Sequence, residues 1–368
     1  MPKIILNELA PYEPQGEGAS AEGGGFTSSN NAGQICEVTT MEDNDHKGSL
    51  RYFVEKMKGP RIVVFRKHGT IRLGKPLKIT DGHITIDGSS APELGICLRD
   101  YPVNIEADDV IMRYVRVRLG KEKVKEIQNN SDCIAIKNCK RVVLDHLSLS
   151  WSIDELLSTG ENTRAVTVQW CMLSEALSEA GHPEGEHSKA ALLSLAKDGV
   201  LSLHHNVFAH NRDRNPRLNT GTLDIRFNVF YNYGKSYPGL SSENHGANAN
   251  YVHNYVIPGR DSEGEGFFDI RHKDVRMFIT DNVLEGDPDI TANNWKGVHT
   301  TGSSNRVETP FKAEAVEPAP GQLLQVVMEA GCLRPRRDSV DNRIVADVVE
   351  RKGHIIDSPS EVGGYPDY

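Results

Sequence analysis

From Arg61 to Leu284 the chain returns repeatedly to short runs of Val, Ile and Leu that alternate with polar residues and are separated by Gly, Asn and Asp. Ile62-Val-Val-Phe, Ile84-Thr-Ile-Asp, Val110-Ile-Met-Arg-Tyr-Val-Arg-Val, Val142-Val-Leu-Asp-His-Leu-Ser-Leu and Val166-Thr-Val-Gln-Trp-Cys-Met-Leu all show it. A period of two predicts strands with one buried face. The later runs share more. Leu203-His-His-Asn-Val-Phe, Ile225-Arg-Phe-Asn-Val-Phe, Tyr251-Val-His-Asn-Tyr-Val and Ile279-Thr-Asp-Asn-Val-Leu carry an asparagine at the same place, and Asn206, Asn228, Asn254 and Asn282 follow one another at 22, 26 and 28 residues. That repeat length suits one turn of a parallel β-helix, and stacked asparagines can hydrogen-bond from coil to coil. No long helical pattern interrupts these coils, so the prediction is an all-β solenoid.

The ends read differently. Gly48-Ser-Leu-Arg-Tyr-Phe-Val-Glu-Lys-Met and Gln322-Leu-Leu-Gln-Val-Val-Met-Glu-Ala place apolar residues at helical spacing, and a solenoid needs covers over its open coils. The layout expected is therefore one domain over 1–368. It has an N-terminal cap at about 45–60, coils over about 61–310, and a C-terminal capping helix and tail over about 311–368. Loops at Gly181 to His187 and Tyr237 to His245 are the expected cleft walls.

A charged strip follows from the same layout. Asp132, Asp154, Lys189 and Arg214 each stand just before a short apolar run, and each run precedes a longer strand-like segment. If each pair is one coil, the four side chains stack. At roughly 4.8 Å per coil they span about 14 Å, acidic at one end and basic at the other. Such a strip suits a metal ion and an anionic chain.

Composition narrows the classes. Hydrophobic content of 38% with 25% charged residues fits a soluble globular protein, and no apolar stretch approaches the roughly 18 residues that span a bilayer. A net charge of −9 argues against general nucleic-acid binding. Yet His187 to Arg217 holds five basic residues (Lys189, Lys197, Arg212, Arg214, Arg217) against Asp198 and Asp213, a local +3 that attracts an acidic polymer. The six cysteines show no CxxC spacing and read as core residues, with a Cys133–Cys139 disulfide left open. Met1-Pro-Lys-Ile-Ile-Leu lacks the features of a secretory signal, so either a signal has been removed or the chain is cytosolic.

His204-His-Asn-Val-Phe, then Arg214-Asn-Pro-Arg, with Asp145-His-Leu-Ser-Leu-Ser-Trp-Ser-Ile-Asp-Glu upstream, resembles the pectate lyases of polysaccharide lyase family 1. Gly48-Ser-Leu-Arg and Ser358-Pro-Ser-Glu-Val-Gly-Gly extend the resemblance from about Gly48 to Tyr368. It implies a right-handed parallel β-helix and calcium-assisted β-elimination on α-1,4-linked galacturonan. It also implies a monomer that is secreted or periplasmic. Arg214 matches the arginine of the family's Arg-x-Pro motif, the base that removes the proton at C5. Arginine is a poor base at neutral pH, so that role implies a depressed pKa or an alkaline optimum. Lys189 matches the lysine that binds a substrate carboxylate, and Asp132 and Asp154 match calcium-ligating aspartates, hard oxygen donors that suit this ion.

Two departures stand out. Ser158 occupies a place where the family commonly has another acidic ligand, which implies weak calcium binding until substrate carboxylates complete the shell. Glu155 is a substitute candidate, disfavoured because neighbours in a strand face opposite ways. Asn219 stands where a further substrate-binding arginine is common, leaving Arg217 to share that role. The histidines at 187, 204, 205 and 210 read as stacking or core residues. Competing readings are a galacturonan hydrolase, which would need paired carboxylates around a water, a calcium-free pectin lyase on methyl-esterified chains, and a non-catalytic β-helix that binds acidic glycan.

Overall fold

The computed structural model describes residues 9–25, 33–127, 132–160, 162–235, 237–264, 266–319 and 321–368. The opening hexapeptide, on which the signal argument rests, lies outside these residues. The chain winds as a right-handed parallel β-helix through three sheets in turn. One coil, for example, runs through Lys140–Asp145 in the first sheet, Ser148–Ser150 in the second and Glu155–Thr159 in the third. The first sheet has ten strands and the others nine each, and all described strand pairings are parallel. Inward-pointing residues of the first sheet form one column, Val110 and Met112, Val142 and Leu144, Val166 and Val168, Leu201 and Leu203, Leu223 and Ile225, all inside a single core cluster.

The sheets begin a coil earlier than the pattern suggests. Gln34–Val38 pairs with Arg61–Phe65, and its thin apolar content hid it. The outward face of the first sheet is also covered, by residues 9–25. Gly18 N–H donates to Thr167 Oγ1 at 2.9 Å and Gly24 N–H to Thr85 Oγ1 at 3.0 Å. Only glycine allows so close an approach, since a Cβ at Gly18 would lie 2.4 Å from the Val142 carbonyl oxygen.

The asparagine repeat is a buried ladder at the corner between the first and second sheets. Asn206 N–H donates to Asn228 Oδ1, Asn228 N–H to Asn254 Oδ1, and Asn254 N–H to Asn282 Oδ1, at 2.8–3.0 Å. Asn294 extends it at one end and Cys171, whose N–H donates to Asn206 Oδ1, at the other. The residue before each ladder position from Cys171 to Asn282 has left-handed backbone, with φ of 52° at Trp170, 56° at His205, 56° at Phe227, 54° at His253 and 57° at Asp281. That conformation costs a non-glycine residue about 1–2 kcal/mol. The offset comes from the ladder and from a ring stack of Tyr114, His146, Trp170, His205, Phe227 and His253, with neighbouring centroids 4.5–6.0 Å apart.

The N-terminal end is closed by Leu50, Phe53 and Val54, which join the main core. The other end is closed by Pro288–Ala292 and the turn Asn294–Gly297, through Ile290 and Trp295. The helix Gln322–Glu329, expected to do this, lies elsewhere. Its Val326 and Val327 pack, with Ile344 and Val348 of Ser339–Glu350, on the outward face of the second sheet at Val207, Ala209, Val229 and Tyr231. That outward face is apolar in these coils, and burying it requires a lateral cover. All six cysteines are free and buried, and Cys133 and Cys139 contact different carbonyls. Among the described residues no helix is long and apolar enough to cross a membrane.

Candidate active site

The third sheet carries the charged strip on its outward face. In register along it, Ala135 pairs with Ser158, Ser158 with Leu192, Leu192 with Arg217 and Arg217 with Leu240. A second row runs through Glu155, Lys189 and Asp213. Parallel pairing thus places side by side the four successive coils that carry Asp132, Asp154, Lys189 and Arg214.

At the acidic end, Asp132 Oδ2 accepts a 2.5 Å hydrogen bond from Ser158 Oγ, and Asp132 Oδ1 accepts one of 3.2 Å from Glu155 N–H. One oxygen each from Asp132, Asp154 and Glu155 lie within 4.8 Å of one another. Glu155 therefore joins the carboxylate cluster, contrary to the alternation argument. Asp154 sits in the bend before the strand, which begins only at Glu155, so strand alternation does not govern the pair. Burial and the neighbouring Glu155 push the Asp132 carboxyl up to about 7. Burial and Asp154 do the same to Glu155, also to about 7, and Asp154 is raised by burial and Asp132. Three carboxylates that resist ionisation because they are buried and crowd each other are a fit for a hard divalent cation, which offsets both effects.

At the basic end, Arg214 has φ 57° and its Nη1 donates to Glu155 Oε1. Its loop is braced by Asn215, which donates to the Asn211 carbonyl at 3.1 Å, and by Asn211, whose amide bonds Leu173 and Ala176 in the coil before. Lys189 is 8% exposed, and burial and Arg214 lower its pKa. Its Nζ lies 2.7 Å from His187 Nε2. Arg217 is half-buried with no hydrogen-bond partner at Nε, and burial and the Arg214 charge lower its pKa. Asn219 donates to Ser194 Oγ at 2.8 Å.

His205 and His210 are structural, in the ring stack and bonded to Asn232 respectively. His187 is not. With His182 it faces Asp154, at 3.3 Å and 3.8 Å from the carboxylate oxygens. Both come from the Gly181 to His187 loop, which walls one side of the strip. Tyr237 lines a pocket of about 330 Å³ on the other side, with Asp213, Asp269, Arg271 and His299.

No family model matches the chain. Curated relatives do. A probable pectate lyase C of Aspergillus flavus is 30% identical over 362 residues, covering 96% of this chain and 80% of the relative. The protein of the same name from Aspergillus terreus is 31% identical over 359 residues, covering 95% and 80%. The chain belongs to the pectate lyase family. Solved structures agree on the fold of this pectate lyase family member. A pectate lyase from Paenibacillus sp. 0602 superposes with a TM-score of 0.55 at 15% identity, covering 91% of this chain and 99% of that one. The major allergen of cedar pollen gives 0.58 at 17% identity, covering 86% and 92%. A pectate lyase bound to a hexasaccharide gives 0.54 at 14% identity, covering 92% and 96%.

Proposed function

We propose that this protein is a calcium-assisted pectate lyase that cleaves α-1,4-linked galacturonan by β-elimination and leaves a 4,5-unsaturated sugar at the new non-reducing end. The observation that carries the reading is the meeting of Asp132, Asp154 and Glu155 with Lys189, Arg214 and Arg217 on one outward sheet face. The relatives' names and the saccharide-bound neighbour support the substrate class.

Asp132, Asp154 and Glu155 would hold calcium. When bound, it supplies positive charge that stabilises negative charge developing on a uronate carboxylate. Lys189 and Arg217 bind and orient uronate carboxylates, Lys189 as a compact point charge and Arg217 through a guanidinium whose Nε has no partner. Arg214 lets go of Glu155 and takes the C5 proton at a guanidine nitrogen. The electron pair of the C5–H bond forms the C4–C5 double bond as the C4–O bond breaks, and the departing oxygen is protonated from water. Only neutral arginine can accept that proton, so an alkaline optimum is expected. A polymer of this kind lies outside the cell, and action there as a monomer completes the reading.

The deciding experiment incubates the protein with polygalacturonate and calcium and follows ultraviolet absorbance of the unsaturated product beside the release of reducing ends. Both rise together under the lyase reading. Reducing ends without absorbance would mean hydrolysis, and binding without either would mean a glycan-binding β-helix.

A further inference from the structure

We propose that Asp154, His182 and His187 form a second cation site, for a borderline divalent metal such as Zn2+, whose occupation takes Asp154 from the carboxylate trio and displaces Lys189. The consequence for catalysis rests on the lyase reading above; the binding itself does not.

The three residues offer ligand atoms that all lie within 4.8 Å of one another. The histidines are well shielded, His187 at 3% and His182 at 8% exposure, with ring centroids 3.4 Å apart. Their proton positions follow from their partners. Lys189 has only protons to give, so at 2.7 Å it donates to His187 Nε2. That leaves the proton on Nδ1, which is buried with no partner. That same Nε2 lies 3.3 Å from Asp154 Oδ1, so two acceptors sit side by side with no proton between them. Such a pair favours a cation between its members, and the Lys189 ammonium now meets only the Nε2 side of it. A metal ion carries twice the charge and takes both lone pairs as ligands.

His182 needs one adjustment. Its Nδ1 accepts a long 3.2 Å bond from Glu184 N–H, which leaves the proton on Nε2, 3.8 Å from Asp154 Oδ2. Giving up that bond moves the proton to Nδ1 and frees Nε2, at the cost of a small turn of a side chain on a surface loop. The resulting set, two imidazole nitrogens and one carboxylate with an open position, is the donor pattern of zinc rather than calcium, which takes oxygen throughout. Because both Asp154 oxygens face the histidines, zinc and calcium compete for this carboxylate.

The test uses the full chain stripped with a chelator. ZnCl2 alone is titrated calorimetrically into the wild type and into a His182→Gln/His187→Gln variant, and Co2+ is added in parallel to read visible bands of nitrogen ligation. The wild type is expected to take one ion, and the variant to bind at least about 100-fold more weakly, since even outer partners of a metal ligand cost 10–100-fold. Calcium should raise the apparent zinc Kd of the wild type. Zinc should slow lyase turnover in the wild type. Equal zinc affinity in both proteins would overturn the site and place the ion elsewhere, for instance on a thiol. Zinc binding indifferent to calcium would overturn the shared Asp154. If the double variant does not fold, His182→Gln alone carries the comparison, with at least about a 10-fold loss expected. An inactive protein that still binds zinc through the histidines would sink the lyase reading and leave this site standing.

Discussion

Replacing Asn228 by alanine should destabilise the β-helix without changing its chemistry. Asn228 sits mid-ladder and 1% exposed. Its Oδ1 accepts from Asn206 N–H and Asn206 Nδ2, and its Nδ2 donates to the Leu203 carbonyl and to Asn254 Oδ1. Alanine removes all four bonds and strips the Asn206 N–H of its acceptor. One orphaned buried donor costs about 1–3 kcal/mol and each other lost bond about 0.5–1.5, for a total of about 3–7 allowing for partial relaxation. With an unfolding entropy of about 2.1 cal/mol/K per residue, the 368 residues give about 0.77 kcal/mol/K, so Tm falls by about 4–9 °C. Asn162 is the control, because it is exposed and bonds only to exposed Asn138 by its amide. Asn162→Ala should stay within about 0.5 kcal/mol, less than 1 °C. The assay is circular dichroism melting of both variants beside the wild type. Equal melting of Asn228→Ala and Asn162→Ala would refute the view that the ladder holds the corner together.

Arg214→Ala should lower kcat by at least about 100-fold while melting like the wild type, since base catalysis typically contributes that much; Arg214→Lys should restore little, and steady-state rates on polygalacturonate check both. Ser158→Asp replaces the hydroxyl that donates to Asp132 Oδ2 with a fourth carboxylate; its Tm should fall in chelator and rise more steeply with calcium than that of the wild type. The pH response has a definite sign. Asp132 and Glu155 titrate near 7 in the fold, above the unfolded carboxylate value of about 4. The metal-free fold therefore holds protons that the unfolded chain has released. The cluster's contribution to stability is full below about pH 4 and is lost as pH rises through about 7. Calcium needs the ionised forms, so its affinity should climb across that window with proton release; calorimetry in buffers of different ionisation enthalpy checks this, and Asp132→Asn should flatten it.

The coils were legible because the chain repeats one residue per turn. Asn206, Asn228, Asn254 and Asn282 announce themselves by identity and spacing, whereas Cys171 and Asn294 hold equivalent ladder places with a different residue or outside a strand and leave no such trace. Asp132, Asp154, Lys189 and Arg214 converge as their shared position before apolar runs suggested. Glu155 was doubted because alternation was applied to Asp154, one residue before the strand starts. The adjacent Asp-Glu pair was the available signal. His187 was read as a stacking or core residue, yet it closes the Gly181 to His187 loop just before Ser188, whose φ of 60° leads into the strand. The helix Gln322–Glu329 was read correctly as amphipathic, but amphipathicity says that a helix has an apolar face, not which apolar surface it covers. The partner surface is made by Val207, Ala209 and Val229, small apolar residues on the outward side of strands assumed to face solvent.

The most direct measurement is the rate of unsaturated product formation from polygalacturonate against free calcium, from chelated to saturating, for wild type and Asp154→Ala. No turnover is expected in chelator, with full recovery on adding calcium and a sharply raised calcium requirement in Asp154→Ala, and highly methylated pectin should be a poor substrate throughout. Full-rate cleavage by the chelated wild type, or a clear preference for methylated pectin, would contradict the role given to Asp132, Asp154 and Glu155.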